Sequence, residues 1–304
     1  MSEILVLGSL NMDLVANVKK MPRIGETIVG DQFSQIPGGK GGNQVCAMAR
    51  LGASVSMIGC VGEDDFGKVL KASLKNDGAD VSSVKSVDGV STGIAMIMVD
   101  ERADNSIVVI PGANYSVDQR LIDENEKLID DCKIAVSQLE VPLEVVEHFI
   151  VNSKKRGKYT ILNPAPAKHL SDELIKHIDL LTPNETELET ISGCKVSTIE
   201  EAKIAAKVLI DKGLKEVLVT LGEAGSLYIN KDRIKHFPTF KVKAIDTTAA
   251  GDSFTAAIAV GKSEDMKLDD AIVFASKVGA LTVTKKGAQS SLPSREEVNN
   301  FRGE

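Results

Sequence analysis

The segment Asp246-Thr247-Thr248-Ala249-Ala250-Gly251-Asp252-Ser253-Phe254 places three small residues directly before an acid and a helical pattern. Small side chains let an anion approach the backbone closely. The free amides and the dipole of a helix N-terminus favour negative charge there. Phosphoryl transfer needs such fixed donors, facing charge that spreads over the transferred group. At their focus, Asp252 has the chemistry of a general base for an attacking hydroxyl. An Asp N-cap on a tightly packed ordinary helix would use the same residues, and this segment alone does not separate the two readings.

Three further segments have polar groups where a ligand could meet them. Gly38-Gly39-Lys40-Gly41-Gly42-Asn43 puts four glycines in five positions before a helix over Gly41–Leu51. That density is costly unless close approach or positive φ is required, so it reads as a ligand-facing helix entry, a hinge, or both. Leu181-Thr182-Pro183-Asn184-Glu185-Thr186-Glu187 follows a strand, and Asn184 and Glu187 share one face of a first helical turn. The pair suits a hydrated Mg²⁺, which takes few protein ligands, or simply opens a helix. Thr220-Leu221-Gly222-Glu223-Ala224-Gly225 closes a strand with two glycines and a hydroxyl. It fits a nucleotide phosphate or ribose, or a plain turn.

Other patterns fail on context. Gly62-Glu63-Asp64-Asp65-Phe66-Gly67-Lys68-Val69 has P-loop spacing, but Val69 stands where Mg²⁺ needs a hydroxyl and three acids lie where phosphate would. Gly89-Val90-Ser91-Thr92-Gly93 spells a hydrolase elbow but is followed by a strand rather than a helix. The first strand leads into Ser9-Leu10-Asn11-Met12-Asp13 without a dinucleotide fingerprint. The histidines 148, 169, 177 and 236 show no ligand spacing.

The elements that must position these groups follow from periodicity. Ile4–Leu7 reads as a buried strand and Val55–Val61 as another, with an amphipathic helix at Phe66–Leu74. Helices are predicted near 118–131, 142–156, 171–178, 185–192, 199–212, 251–262 and 268–283. Strands are predicted near 133–138, 158–162, 179–181 and 216–220, and antiparallel strands over 226–243 close the edge. Such alternation implies an α/β fold with a mostly parallel central sheet and helices on both faces. Residues 13–37 are irregular and β-branched, and 93–110 form a hairpin about a polar turn at 100–105. Together these two segments are expected to make a small β-sheet lid on a single domain spanning 1–304.

Bulk properties narrow the function. A net charge of −7 and an aromatic content of 4% with no Trp argue against a nucleic-acid partner, which needs a basic face and stacking rings. No apolar run approaches the ~20 residues of a membrane span, and the four cysteines include no C-x-x-C pair. A cytoplasmic protein with reduced thiols is expected.

The four segments, in this order, resemble the ribokinase branch of the carbohydrate kinase family that also holds fructokinases and adenosine kinases. The narrower marks are Gly8-Ser9-Leu10-Asn11-Met12-Asp13, Gln138-Leu139-Glu140, Leu162-Asn163-Pro164-Ala165-Pro166-Ala167, Thr182-Pro183-Asn184-Glu185 and Lys286-Gly287-Ala288-Gln289. The resemblance implies ATP-dependent phosphorylation of D-ribose at its 5-hydroxyl, giving D-ribose 5-phosphate and ADP, or else a related deoxyribokinase or fructokinase activity. By the same resemblance, Asn11, Asp13, Gly39, Lys40, Asn43 and Glu140 would bind sugar and Asp252 would be the base. Ala249, Ala250 and Gly251 would form an anion hole. Asn184, Thr220, Gly222, Gly225, Gly251 and Ser276 would surround ATP, with Glu187 near Mg²⁺. Asp246, Thr248, Thr282, Lys285, Gly287 and Ser291 would enclose K⁺, several through backbone carbonyls. A homodimer through the lid is also implied. The chain departs from the family pattern at Ala249, where many relatives have Gly, and at Thr255 and Ala256, where Asn and Gly are usual.

Overall fold

The apolar runs become strands buried on both faces. The structure, a computed structural model, describes residues 2–102 and 104–303; Met1, Glu304 and Ala103 of the expected 100–105 turn lie outside the described residues. In chain order the strands are β1 (Ile4–Leu7), β2 (Asn11–Asn17), β3 (Gln32–Gly38), β4 (Val55–Gly62), β5 (Val84–Val87), β6 (Gly93–Val99), β7 (Asn105–Ile110), β8 (Ile134–Ser137), β9 (Tyr159–Leu162), β10 (Leu180–Leu181), β11 (Glu216–Thr220), β12 (Ser226–Asn230) and β13 (Ile234–Phe237). The helices are α1 (Lys40–Arg50), α2 (Asp65–Asn76), α3 (Gln119–Asp123), α4 (Glu126–Asp131), α5 (Leu143–Lys155), α6 (Asp172–His177), α7 (Glu185–Ser192), α8 (Ile199–Asp211), α9 (Ala250–Ser263), α10 (Leu268–Thr282) and α11 (Arg295–Asn300).

Among the described residues, nine strands form one sheet in the order β13-β12-β11-β10-β9-β8-β1-β4-β5. Pairing is parallel from β5 across to β11 and antiparallel for β11/β12 and β12/β13. Strand alternation divides the core. Leu5 and Leu7 of β1 join the layer that holds Phe149 of α5 and Leu209 of α8, while Ile4 and Val6 face Met48 of α1 and Ile258 of α9. Helices therefore cover both faces, as a parallel sheet requires. Small residues let α9 and α10 pack closely. A Cβ on Gly261 would come within 2.8 Å of the Ala271 Cβ.

Segments 13–37 and 93–110 carry most of a second, four-stranded sheet in the order β3-β2-β6-β7. Its hairpins β2/β3 and β6/β7 are antiparallel and β2/β6 is parallel. Every residue of edge strand β7 is exposed, including Ile107, Val108, Val109 and Ile110.

Some elements differ from sequence expectation for local reasons. The helix expected over 118–131 breaks into α3 and α4 at Asn125, whose side chain donates to Leu121 O at 2.8 Å and accepts from Ser83 Oγ. A side chain that bonds the backbone in this way competes with helix continuation. The antiparallel edge expected through 243 ends at Phe237, because Pro238 has no N–H for a ladder. The four-residue β5 is too short and too mixed in pattern to be predicted; it pairs with β4 and buries Val84. The P-loop look-alike is a helix start: Asp64 accepts from Gly67 N and from both the N–H and the hydroxyl of Thr92.

Candidate active site

Strand order places the site. From β1 the chain first builds outward through β4 and β5, then returns to β8 on the other flank, so β1 and β8 mark a topological switch point. Ligands of open α/β sheets bind at the carboxyl ends of strands there. The loops at those ends carry Asn11 (after β1), Gln138–Glu140 (after β8), Asn163 (after β9), Asn184 (after β10) and Gly222 (after β11).

One half of the site is a polar cradle between β1, β2 and α1. The glycine loop is built for close approach. Gly39 sits at φ 84° with a Cβ position 2.6 Å from Asn11 N, and Gly41 would place a Cβ 2.5 Å from Ser9 N. The first amides of α1 are satisfied by protein rather than open to a ligand, contrary to the expected ligand-facing entry. Lys40 N donates to Glu140 Oε2 at 3.0 Å, Gly41 N to Ser9 Oγ at 3.3 Å and Gly42 N to Ser9 O at 2.8 Å. What α1 offers the cradle is side chains. Asn43 Nδ2 donates to Asp252 Oδ2 at 2.9 Å, while the buried Asn43 Oδ1 has no partner among the described residues. A buried acceptor without a donor is costly, and a sugar hydroxyl would satisfy it.

Asp13 on β2 faces the same space, packed so closely on Gly38 that a Cβ there would lie 2.4 Å from its carboxylate. Burial first, then the Glu140 and Asp252 charges, against the pull of Lys40, push the Asp13 carboxyl up to about 7. Lys40 is the counter-charge. Asp252 above all, with Glu140, Glu187 and Asp13, holds its ammonium above the ordinary range despite burial. Four carboxylates around one buried ammonium form a site that suits neutral, hydroxyl-rich groups.

The other half is two joined clefts. A cleft of about 180 Å³ is lined by Lys40, Glu187, Thr247, Ala249, Ala250, Gly251 and Asp252, among others. It opens into a larger one of about 740 Å³ lined by Asn184, Thr220, Gly222, Gly225, Gly251, Phe240 and Ser276. Asp252 thus stands between the cradle and the clefts. At the start of α9, Ser253 N bonds back to Ala249 O at 2.8 Å and Ala250 N to Thr247 O at 3.2 Å. The Gly251 and Asp252 amides have no acceptor among the described residues, so donors face the small cleft. Ala249 adopts φ 61°, ψ 8°, a left-handed conformation that costs an L-residue about 1–2 kcal/mol. That cost is a physical reason for glycine at this position in relatives.

Asn184 and Glu187 do share a face, but as a capping box. Glu187 N donates to Asn184 Oδ1 at 2.8 Å and Asn184 N to Glu187 Oε2 at 2.9 Å. Only Glu187 remains to face a metal, and burial raises its carboxyl pKa although the Asn184 N–H and Lys40 oppose this. Among the described residues no group of three or more His, Cys, Asp or Glu could hold a metal. One carboxylate beside the phosphate-sized cleft fits Mg²⁺, which keeps most of its water. Gly225, at φ 92°, turns so tightly that a Cβ would meet Phe237 O at 2.1 Å.

Of the residues expected around K⁺, Asp246, Thr248 and Gly287 come together. Asp246 accepts from Thr248 N (2.9 Å), Thr248 Oγ1 (2.6 Å) and Gly287 N (2.8 Å), and Ile245 N bonds to Val283 O at 2.7 Å. Burial works against the Asp246 charge, but the Thr248 and Gly287 donors with Lys286 hold its carboxyl below the usual range. An ionised carboxylate joined to a carbonyl-rich turn fits a monovalent cation. Lys285 points its ammonium at Glu297, so only its carbonyl is available to an ion. Thr282 Oγ1 donates to Ser253 Oγ at 3.0 Å, and Ser291 Oγ to Ala288 O at 2.8 Å.

Several residues at the site are given no role by the sequence. Asn114, buried in the turn after β7, accepts from Leu10 N at 2.8 Å and donates to Leu10 O and Asn11 Oδ1. Because Asn114 donates to the Asn11 oxygen, the Asn11 amide N–H₂ is left for the cradle. Gln44 donates to Asp252 and is itself bonded to Gln138 and Asn163, and Thr255 ties α9 to the loop after β10 through Thr182 at 2.9 Å.

The model of pfkB family carbohydrate kinases matches residues 1–295. The chain belongs to this family. As a pfkB family member it is 42% identical over 296 residues to a ribokinase of Haemophilus influenzae, covering 97% of each chain. It is 39% identical over 300 residues to a deoxyribokinase of Salmonella typhi, covering 98% of each. The structure of an Arabidopsis thaliana ribokinase complexed with ribose and ATP superposes with a TM-score of 0.94 at 32% identity, covering 99% of both chains. No helix among the described residues is long and apolar enough to cross a membrane.

Proposed function

We propose that the chain transfers the γ-phosphoryl group of ATP to the 5-hydroxyl of D-ribose. The observation that carries this reading is the position of Asp252. It is 6% exposed, held by Asn43 and Gln44, and stands where the hydroxyl-seeking cradle meets the phosphate-sized cleft. Asn11, Asp13, Gly39, Lys40, Asn43 and Glu140 take the sugar hydroxyls. Asn184, Thr220, Gly222, Gly225, Gly251 and Ser276 surround the nucleotide. Asp252 accepts the proton of the attacking hydroxyl, and the unengaged amides of Gly251 and Asp252 at the start of α9, together with Lys40, meet the charge on the transferred group; of the other expected anion-hole residues, Ala249 and Ala250 shape the turn, the Ala250 amide being held by Thr247 O. Mg²⁺ near Glu187 would neutralise phosphate charge, and K⁺ within the Asp246–Thr248 and 282–291 turns would brace the start of α9. All of this belongs to one domain over 1–304, with the small sheet as a lid that excludes water and pairs with a second copy. The setting is the cytoplasm.

A deoxyribokinase is the second reading, favoured by the Salmonella relative. Asp13 distinguishes the two. A buried carboxylate that loses a hydroxyl partner forfeits roughly 1.5–3 kcal/mol, about 10–150-fold in kcat/KM. The test is ADP release with D-ribose, 2-deoxy-D-ribose, D-fructose and adenosine. Ribose is expected to lead deoxyribose by that factor. Equal rates with deoxyribose or fructose would reduce the reading to a sugar kinase of unspecified substrate.

A further inference from the structure

Gln138 and Asn163 lie in segments that stood out in the sequence, yet the reaction described above uses neither, nor does it use Gln44. All three are buried: Gln44 and Gln138 are 0% exposed and Asn163 5%. They form one chain of hydrogen bonds that ends on Asp252. Asn163 Nδ2 donates to Thr182 O at 3.1 Å, and Gln44 Nε2 donates to Asn163 Oδ1 at 3.1 Å and to Asp252 Oδ1 at 3.3 Å. Gln138 Nε2 donates to Gln44 Oε1 at 2.7 Å.

The polarity of this chain has one solution. A backbone carbonyl can only accept, so Thr182 O requires the nitrogen of Asn163 on its side and leaves the Asn163 oxygen facing Gln44. Gln44 must then present its nitrogen to that oxygen and to the carboxylate. Its own oxygen turns to Gln138, which must donate. Gln138 Oε1 is left buried without a partner among the described residues, pressed on Gly8, where a Cβ would lie 2.2 Å away. An orphaned buried amide oxygen is a cost that a purely structural contact would not require.

We infer that Gln44, aimed by Gln138 and Asn163, is the positioning residue of the base. It fixes the rotation of the Asp252 carboxylate, so that Oδ1 is engaged from behind while the other edge points at the attacking hydroxyl. Asn43 takes Oδ2 from the next position on α1, so consecutive residues of one helix hold both oxygens. The inference rests on Asp252 acting as the base.

The test is steady-state kinetics, with D-ribose and ATP, of Gln44→Met, Gln138→Leu, their double variant, Gln44→Glu and Asp252→Asn. Gln44→Met is expected to lower kcat by about 100-fold, the loss typical of a misplaced catalytic group, with both KM values within about threefold. Because Gln138 acts through Gln44, the double variant should be no slower than Gln44→Met alone, a departure from additivity. Gln44→Glu supplies a readout that a packing role would not move. Its carboxyl repels Asp252 when ionised and donates to it when protonated, so its activity relative to the parent should rise about tenfold or more between pH ~8.5 and ~6. If Gln44→Met turns over within about threefold of the parent while Asp252→Asn is inactive, the positioning role is overturned and the base role stands. A near-parental Asp252→Asn removes both. Should Gln44→Met fail to fold by circular dichroism, a flat pH ratio for Gln44→Glu overturns the proposal by itself.

Discussion

At the scale of single residues the site is a balance of charge around Asp252, Asp13, Glu140 and Lys40. Asp252→Asn preserves shape and the packing against Asn43 but cannot accept a proton. Its kcat is expected to fall by roughly 10²–10⁴ with ATP affinity retained, measured by ADP release and nucleotide titration. Turnover within a few-fold of the parent would remove Asp252 from the base role. Asp13 makes a separate prediction about stability. Its carboxyl titrates at 3.8 in the unfolded chain and at about 7 in the folded one, so the folded state prefers it protonated. The stability it contributes is fully present below pH ~4 and is lost as pH rises through ~7. Asp13→Asn should therefore melt at the parent's temperature near pH 4 and increasingly above it up to pH ~7–8, without added sugar or nucleotide. A melting difference independent of pH would contradict the buried, crowded environment assigned to Asp13. Ala249 shows a local rule broken at a functional turn, since its left-handed backbone is one that glycine adopts freely.

At the scale of elements, α9 carries the proposed base and the turns beside it are its supports. Asp246 connects the 246–248 loop to Gly287, and Thr282 of α10 reaches Ser253 of α9. A cation held there would act on the donors at the start of α9 without touching substrate. Phosphorylation should accordingly rise strongly with K⁺ and hardly with Li⁺ at matched ionic strength, and Asp246→Ala should erase the difference. Equal rates of the parent enzyme in both salts would exclude a cation site in these turns. The small sheet is the other support. Its strand β2 begins at Asn11 and includes Asp13, so any movement of the sheet is coupled to the sugar cradle through residues of the same strand.

At the scale of the whole molecule, β7 is an exposed apolar edge with its ladder groups unpaired on one side. Such an edge is a liability for a protein that remains alone, and a two-hairpin sheet needs a partner to bury its apolar face. A second copy packed on one face of the sheet would cover Met96, Val108 and Ile110, which lie on the same face. Light scattering at micromolar concentration should give twice the mass of one chain, and Val108→Lys should shift it toward one. A fully active single chain in the parent protein would refute this assembly.

Much of the architecture was legible in the sequence because it depends on short-range patterns. Continuous apolar runs marked the buried parallel strands, and glycine density with the Asp246–Asp252 segment marked both sides of the site. Residue types at those segments also set the chemistry, since a carboxylate at a helix start beside small residues suits few reactions. Helix breaks and short strands were less legible: Asn125 splits a helix through its own side chain, and β5 has only four residues, with Val84 and Val87 at its two ends. The polarity of the site was beyond sequence reading altogether. Gln44 and Gln138 are 94 positions apart, and Asn114 and Asn11 are 103 apart. Each such pair meets only because strand order brings distant loops to one edge of the sheet. Which amide atom faces Asp252 or the sugar is then decided by backbone carbonyls and amides that become neighbours in the folded chain. A glutamine in a sequence does not reveal which end donates; burial beside a fixed acceptor does.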